Sequence, residues 1–489
     1  MQEQPAAAYE VRQSPEAGST GRFSPRQEAA HTVFRAVLVP SRYNVSVDLP
    51  DGRAAVYNTF SAALTILPRA EWRRILGPGA RFTFLPGAVA PAISRLHASG
   101  FLIPEGTDEV EMVRQHYQRG RHDRVSGFTA NVLLTMGCNL ACRYCFQGQT
   151  QMETRPRMMA AETEDAVIEY LKRSAAGTKM LRVSWFGGEP LLGLRQIKRM
   201  TPALTEFCDG AGIAYRAVIT TNGVLLEREA VDTLVEARLS QAQVSLDVPA
   251  ELKHDKRGRC TQDRVLDNLA YAAERIPTQV RVNLTRDDVS EWDRLFDGMA
   301  RRGLNKTLAS VFIAHVYQPE AARGSDVGSP ETPATYVEVM KRQYERAQNL
   351  GLPMERTVAS RCGSGCAATS DNAVTIDPEG LLYKCPDDAG RPNRAYGSVF
   401  LDIVIKSENL LRWLSYDWFQ YEACRECTLM AQCAGGCPHQ RMFQPGRRND
   451  SYCYWALRGD LEGKIRETVE HLLGTADVPS KADSPLCSG

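Results

Sequence analysis

The sequence lacks a long apolar stretch: nowhere in its 489 residues does an uninterrupted run approach the ~18 that a membrane span needs. It also lacks an excess of charge of either sign. Lys and Arg number 59 against 58 Asp and Glu, a formal net charge of +1. No global field therefore draws the chain to nucleic acid or to a membrane surface, and neither is expected as a partner. The opening residues, MQEQPAAAYEVRQSPEAGSTG, lack the basic start and apolar core of a secretory signal, so a cytoplasmic protein is expected. Aromatics are modest at 8%, but hydrophobic residues at 43% allow large cores, and the length suits two to four domains. Cysteine is the residue not in short supply. There are 14, mostly in tight clusters. In a large chain without a signal, clustered cysteines favour metal ligation or redox chemistry over disulfides.

Residues 1–30 are rich in Gln, Ala, Ser, Pro and Glu and offer little apolar burial, so disorder is expected. Residues 31–124 read as a small α+β module. Tyr43, Val45, Val47 and Leu49 alternate with smaller or polar residues, as in a strand. Asp51 and Gly52 offer a tight turn, and residues 54–58 return as the second strand. Residues 61–76 and 87–100 are expected to be helical, with Gly100 as a C-terminal cap, and residues 101–106 form a short strand.

Residues 125–330 alternate strand-like and helix-like segments. The strands are expected at 129–136, 181–186, 215–221, 241–247, 279–285 and 309–316, with amphipathic stretches such as 161–175 and 227–239 between them. Repeated β–α units imply an α/β fold with a parallel sheet, either open or curved. Six units fall short of the eight of a closed barrel, so a partial (β/α)6 TIM-like barrel is expected, with functional groups at the C-terminal strand ends. Residues 331–358 hold one bridging helix, 359–475 are cysteine-rich and loop-rich, and 476–489 are a polar tail expected to fray.

Cys138, Cys142 and Cys145 form C-x3-C-x2-C directly after the first strand. Thiolates are soft ligands that suit iron–sulfur clusters. Three of them hold three irons of a [4Fe–4S] cube and leave the fourth open to a small molecule. A zinc site wants a fourth ligand, and the nearest histidine, His122, lies upstream across the strand.

The segment CNLACRYCFQ, with Tyr144 before the third cysteine, resembles the cluster loop of the radical S-adenosylmethionine superfamily. Gly187-Gly188-Glu189-Pro190 ends the second strand and resembles that family's GGEP motif. Thr220-Thr221-Asn222-Gly223 ends the third, and Ser245-Leu246-Asp247 the fourth. The resemblance implies that S-adenosylmethionine binds the open iron and yields a 5′-deoxyadenosyl radical, with Glu189 receiving the cofactor's amino group. Thr221, Asn222, Ser245, Asp247 and Asn283 would line its site. Arg257 falls twelve residues after Ser245, where family arginines meet the cofactor carboxylate. Val248 replaces a family glycine and the His254-Asp255 pair sits one residue late, so Arg259 competes with Arg257 for that role.

Downstream come Cys362, Cys366, Cys385, then Cys424, Cys427, Cys433, Cys437 and Cys453. Alone, such spacings also suit a zinc ribbon. In context they resemble the SPASM extension of peptide-modifying radical enzymes, a cysteine-rich iron–sulfur domain. The resemblance implies one auxiliary cluster on Cys362, Cys366, Cys385 and Cys437 and a second on Cys424, Cys427, Cys433 and Cys453. That makes three [4Fe–4S] clusters, fed by an external one-electron reductant such as flavodoxin or ferredoxin. Cys208, Cys260 and Cys487 are left over. Cys208 reads as a buried small hydrophobe and Cys487 as idle, while Cys260 could donate a hydrogen atom in a peptide epimerase.

The hairpin-and-helix pattern of 31–124 resembles a winged-helix, leader-peptide-recognition module. Together with a barrel open at one side, this implies a maturase that cross-links a ribosomally made precursor peptide through a thioether, carbon–carbon or carbon–oxygen bond. The alternative is a formylglycine-forming maturase of sulfatases. Those relatives carry aspartate directly after the cysteine matching Cys385. Here Pro386 intervenes, and Asp387 is the candidate catalytic base. Outside enzymology stand an iron–sulfur electron carrier and a zinc-binding interaction protein, which metal content and cofactor cleavage would separate.

Overall fold

A computed structural model describes residues 36–84, 91–142, 145, 147, 157–248, 250, 259–284, 289–315, 333–354, 365–401, 408–443 and most of 461–469. The N-terminal part carries β1 (Ala36–Pro40), β2 (Asn44–Asp48), β3 (Arg53–Asn58), β4 (Leu64–Pro68), β5 (Phe82–Phe84) and β6 (Leu102–Pro104). They form two antiparallel sheets, β5-β1-β6 and β2-β3-β4. The expected hairpin is present. Val45 faces Tyr57, and Gly52 takes φ +80° in the turn, a conformation that glycine adopts without a Cβ penalty. Gly100 ends the Pro91–Ala98 helix region with φ +81°.

Residues 64–68, expected to be helical, are instead strand β4. Thr65 and Ile66 are β-branched and favour a pleated surface, and helix begins only after Pro68, at Arg69–Ile75. β1, β5 and the Glu109–Arg121 helix are further elements beyond those expected from the sequence. That helix has a local signal: Asp108 caps it by accepting from the Glu111 N–H at 3.0 Å.

The main sheet holds all six expected strands: β7 (Phe128–Leu133), β8 (Met180–Phe186), β9 (Ala214–Thr221), β10 (Leu239–Val248), β11 (Thr278–Leu284) and β12 (Ser310–His315). They are parallel and neighbour one another in chain order. Such single winding with right-handed crossovers puts every connecting helix on one face. Alternation along the strands shows that face. Ala130, Val132, Val183, Trp185, Ile219, Val244 and Val282 are buried against Leu171, Met200, Leu204, Val231, Leu269 and Phe296 of the helices. The opposite face receives the alternate residues, among them Asn131, Ser184, Thr220, Gln243, Ser245, Arg281 and Asn283. It is predominantly polar. Cys208, on the Leu194–Ala211 helix, is fully buried in the apolar layer, as expected of a small hydrophobe.

The cysteine-rich segment is less separate than its sequence suggests. β13 (Ala373–Ile376) pairs in parallel with β7, and β14 (Leu381–Tyr383) and β15 (Gly397–Ser398) extend the sheet to nine strands. These strands are two to four residues long, too short for periodicity to reveal. No helix among the described residues is long and apolar enough to cross a membrane.

Candidate functional site

The first cysteine loop leaves β7 and meets the end of β8. Gly188 donates to Thr135 O and Glu189 N–H to Gly137 O, each at 3.0 Å. The backbones are so close that side chains cannot fit. A Cβ on Gly187, whose φ is +130°, would lie 2.3 Å from Thr135 O, and one on Gly188 2.1 Å from Gly137 O. The two glycines therefore permit this strand end to clasp the loop.

Glu189 is fully buried. Its Oε1 accepts from Leu191 N–H at 3.0 Å and Thr221 Oγ1–H at 2.7 Å, and its Oε2 from Asn222 N–H at 2.8 Å. The carboxylate thus ties the end of β8 to the end of β9. Pro190 opens a buried 3-10 turn beside it. Asn222 reaches back, donating through Nδ2 to Asn139 Oδ1 at 2.8 Å and to Cys138 Sγ at 3.6 Å. Leu140 N–H also points at Cys138 Sγ, at 3.4 Å. Burial pushes the Cys138 thiol up to about 11, and the nearby Glu189 and Cys145 add to the rise. Cys145 N–H bonds Cys142 O at 3.3 Å, one turn along.

A second polar group lies further along the sheet. Asp247 on β10 and Asn283 on β11 are in register and buried. Asn283 Nδ2 donates to Asp247 Oδ1 at 2.9 Å, and Arg281 Nε to Asn283 Oδ1 at 2.9 Å. Ser245 is in register with Arg281. Tyr144 and Arg257 lie outside the described residues, and Arg259 is exposed.

The C-terminal cysteines gather in part around one turn. Cys385 opens the 3-10 turn Pro386–Asp388, and burial pushes its thiol up, reinforced by Asp387 and Cys366. Cys437 keeps an exposed edge yet is flanked by protein. Desolvation, with Cys366 and Asp387 beside it, pushes it up to about 11. Cys366, Cys385, Cys437 and Asp387 therefore share one neighbourhood. His439, 4% exposed, stands between two carboxylates, with Nδ1 3.7 Å from Asp387 Oδ2 and Nε2 3.2 Å from Asp388 Oδ1. Arg394 Nη1 meets the same Asp388 oxygen at 2.6 Å. Burial works to raise the Asp388 carboxyl, but hydrogen bonds from His439 and Arg394 outweigh it and hold it below its usual value. Sequence reasoning missed His439, which nothing local distinguishes from a core histidine.

Cys424 and Cys427 are joined by Cys427 N–H to Cys424 O at 3.2 Å. Arg441 Nη2 points at Cys424 Sγ at 3.5 Å, and Cys433 closes the Met430–Cys433 turn. Cys362, Cys453 and Cys487 lie outside the described residues, and Cys260 is exposed. The turn over 385–390 packs on the first cysteine loop. Met136 joins the cluster of Leu133, Tyr383 and Ala389, and a Cβ on Gly390 would meet Met136 Cε at 2.9 Å.

Among the described residues, no three His, Cys, Asp or Glu side chains gather as ligands of one metal ion do. A polynuclear cluster spreads its thiolates over several irons and asks for a wider set. The donors fit such a group. Cys138 is a buried sulfur met by a backbone N–H and an amide, hydrogen bonds that stabilise a thiolate. The raised thiols are the ones that a bound cluster would deprotonate.

The Radical SAM superfamily profile matches residues 132–297. Mycofactocin maturase MftC of Mycolicibacterium smegmatis is 26% identical over 334 residues, which are 63% of this chain and 78% of that protein. The serine-type anaerobic sulfatase-maturating enzyme of Klebsiella aerogenes is 22% identical over 358 residues, 69% of this chain and 85% of the relative. Among solved structures, Streptococcus suis SuiB bound to the precursor peptide SuiA superposes with a TM-score of 0.50 at 14% identity, covering 85% of this chain and all of that one. At that identity the likeness is one of fold.

Proposed function

We propose, on the premise that residues 132–297 of this chain form a radical S-adenosylmethionine domain, that the enzyme is a peptide maturase. It takes a hydrogen atom from a ribosomally made precursor peptide and completes an intramolecular cross-link, thioether, carbon–carbon or carbon–oxygen. The observation that carries this reading is the packing of the 385–390 turn on Met136. In this reading the cysteine-rich segment, once it holds a cluster, would take an electron beside the strand ends where a peptide reacts.

When bound, a [4Fe–4S] cluster and S-adenosylmethionine supply a hydrogen-abstracting adenosyl radical. In this reading Cys138, Cys142 and Cys145 hold the cluster. Gly187 and Gly188 let backbone approach the cofactor, and Glu189 and Pro190 fix that strand end. Thr221, Asn222, Ser245, Asp247 and Asn283 line the cofactor site, with Tyr144 and Arg257 completing it. Cys362, Cys366, Cys385 and Cys437 hold one auxiliary cluster, and Cys424, Cys427, Cys433 and Cys453 the other. An external one-electron donor such as flavodoxin or ferredoxin reduces the protein.

The peptide assignment draws on the maturase names of the relatives and on the peptide in the SuiB complex. It also draws on the N-terminal part. Among the described residues β2 is an edge strand, and beside it opens a cleft lined by Arg42, Ser46, Trp72 and Arg81. An extended leader peptide can add a strand to such an edge. The test is incubation of the reduced holoenzyme with each short peptide encoded beside its gene. Loss of two hydrogens' mass from one peptide, dependent on S-adenosylmethionine, is the expected result. 5′-Deoxyadenosine without any peptide change across all of them would overturn the cross-linking reading.

A second reading, formylglycine formation, is favoured by one observation: Asp387 stands beside Cys437 and Cys385, where a base could take a proton from a peptide radical. A sulfatase-derived peptide converted to an aldehyde would select it.

A further inference from the structure

Lys384 and Arg121 are two buried cations that lack a buried anion. Lys384 is 4% exposed and Arg121 is 2% exposed. Lys384 Nζ donates to Ser370 O at 2.5 Å and Ala373 O at 2.6 Å. Arg121 donates through Nε to Thr369 O at 2.6 Å, through Nη1 to Tyr416 O at 3.0 Å, and through Nη2 to Trp413 O at 3.3 Å and to Leu414 O. Every one of these partners is a neutral carbonyl. Among the described residues neither cation makes an ion pair. The acid nearest in field, Asp371, is engaged by His122 at 3.0 Å and Arg124 at 3.2 Å. Carbonyl oxygens solvate a cation but do not cancel its charge, and an uncompensated buried charge is costly. Two in one neighbourhood repel one another as well.

The missing negative charge has an evident place. Lys384 directly precedes Cys385, and its field and that of Cys366 act on each other. Cys366 shares the turn in which Thr369 N–H bonds Cys366 O at 2.9 Å, and Thr369 O is the acceptor of Arg121 Nε. Both cations thus bond backbone oxygens of the turn that begins at Cys366.

We propose that Lys384, with Arg121 beside it, is the built-in counter-charge for an anionic cluster held by Cys366, Cys385 and Cys437, and that it raises that cluster's reduction potential. The inference rests on the auxiliary-cluster reading above. Each thiolate brings a negative charge, and an electron arriving from an external reductant adds another. A fixed cation in low dielectric stabilises the reduced state more than the oxidised one. Lys384 acts through the cluster and not on the substrate, so it is a positioning residue.

The test is a redox titration of the reconstituted full chain, followed by electron paramagnetic resonance, with Cys138, Cys142 and Cys145 replaced by alanine to remove the radical-site signal. Iron and sulfide are counted in every sample. Lys384→Gln keeps amide donors for the carbonyls and removes the charge. With iron unchanged, one auxiliary signal is expected to fall in potential by a tenfold change in its reduction equilibrium, about 59 mV for one electron. Lys384→Arg keeps the charge and should stay within twofold of the parent. A glutamine variant with full iron and an unshifted midpoint would overturn the proposal, leaving Lys384 a brace between carbonyls. A parent protein without auxiliary iron would overturn the cluster reading itself, a different result. Should the glutamine variant not fold, Arg121→Gln reads the same field. A fall in the same signal supports the inference, and no shift refutes it.

Discussion

Gly188→Ala is the perturbation whose consequence follows most directly from geometry. The new Cβ would sit 2.1 Å from Gly137 O, 2.5 Å from Gly137 C and 2.6 Å from Met136 O. Cβ atoms stay beyond 3.0 Å of such neighbours, so the shortest contact alone demands a shift of about 0.9 Å, from 2.1 to 3.0 Å. All three neighbours are backbone, so no side chain can rotate away. The loop that moves carries Cys138, and the strand end that moves carries Glu189. A displacement near 1 Å at a catalytic centre costs on the order of 100-fold in rate. The assay is 5′-deoxyadenosine release under dithionite by reconstituted variant and parent, with iron counted in both. The expected outcome is a loss of about 100-fold, with or without loss of iron. Gly210→Ala is the control, because its Cβ meets nothing within 4 Å in the Leu194–Ala211 helix. It should keep full activity and gain up to about 1 kcal/mol. A Gly188→Ala enzyme as active as Gly210→Ala would refute the close-approach reasoning.

Three further outcomes follow from the same contacts. Asp388→Asn removes one partner of a buried ionic group, and should lower unfolding free energy by about 3 kcal/mol at neutral pH in denaturant titrations. In the parent, the Asp388 carboxyl is held below its usual value. Its contribution is therefore full above the ordinary carboxylate range, near pH 4, and fades as pH falls through the lowered folded value. The stability gap between parent and Asp388→Asn should shrink as pH falls below that range, and a gap that widens on acidification would contradict the assignment. Asn222→Ala removes the amide from Cys138 Sγ and Asn139. It should weaken cofactor cleavage while leaving the circular dichroism spectrum intact, and unchanged cleavage would rule out a role for that contact. Cys208→Ala should leave the iron count unchanged, because Cys208 lies in the apolar layer. A loss of iron would overturn that placement.

The sheet was legible because each strand of a parallel layer is apolar on its helix side and flanked by an amphipathic segment. All six strands stand where alternation put them. The Gly187–Pro190 turn was legible as a turn at a strand end, but the backbone it approaches, Thr135 and Gly137 of the first cysteine loop, is not readable from the motif. Other features depend on contacts that no local pattern records. β13 pairs with β7 although the two are far apart in sequence, and its four residues are too few to show a period. β4 was mistaken for helix because its partner β3 decides its state, not its own propensity alone. Glu189 is legible from its motif alone, and the structure adds what no motif records: its carboxylate also accepts from Leu191, Thr221 and Asn222 and so ties two strand ends together. Lys384 and Arg121 escaped notice because charge along the sequence is balanced. Only burial makes their lack of an ion pair visible.

The most direct test of the account is anaerobic reconstitution with iron and sulfide, followed by dithionite and S-adenosylmethionine. The account predicts thiolate-bound iron, about twelve atoms per chain if all three clusters form, and release of 5′-deoxyadenosine that disappears when Cys138, Cys142 and Cys145 become alanine. Zinc in place of iron, or full iron with no cofactor cleavage, would contradict it.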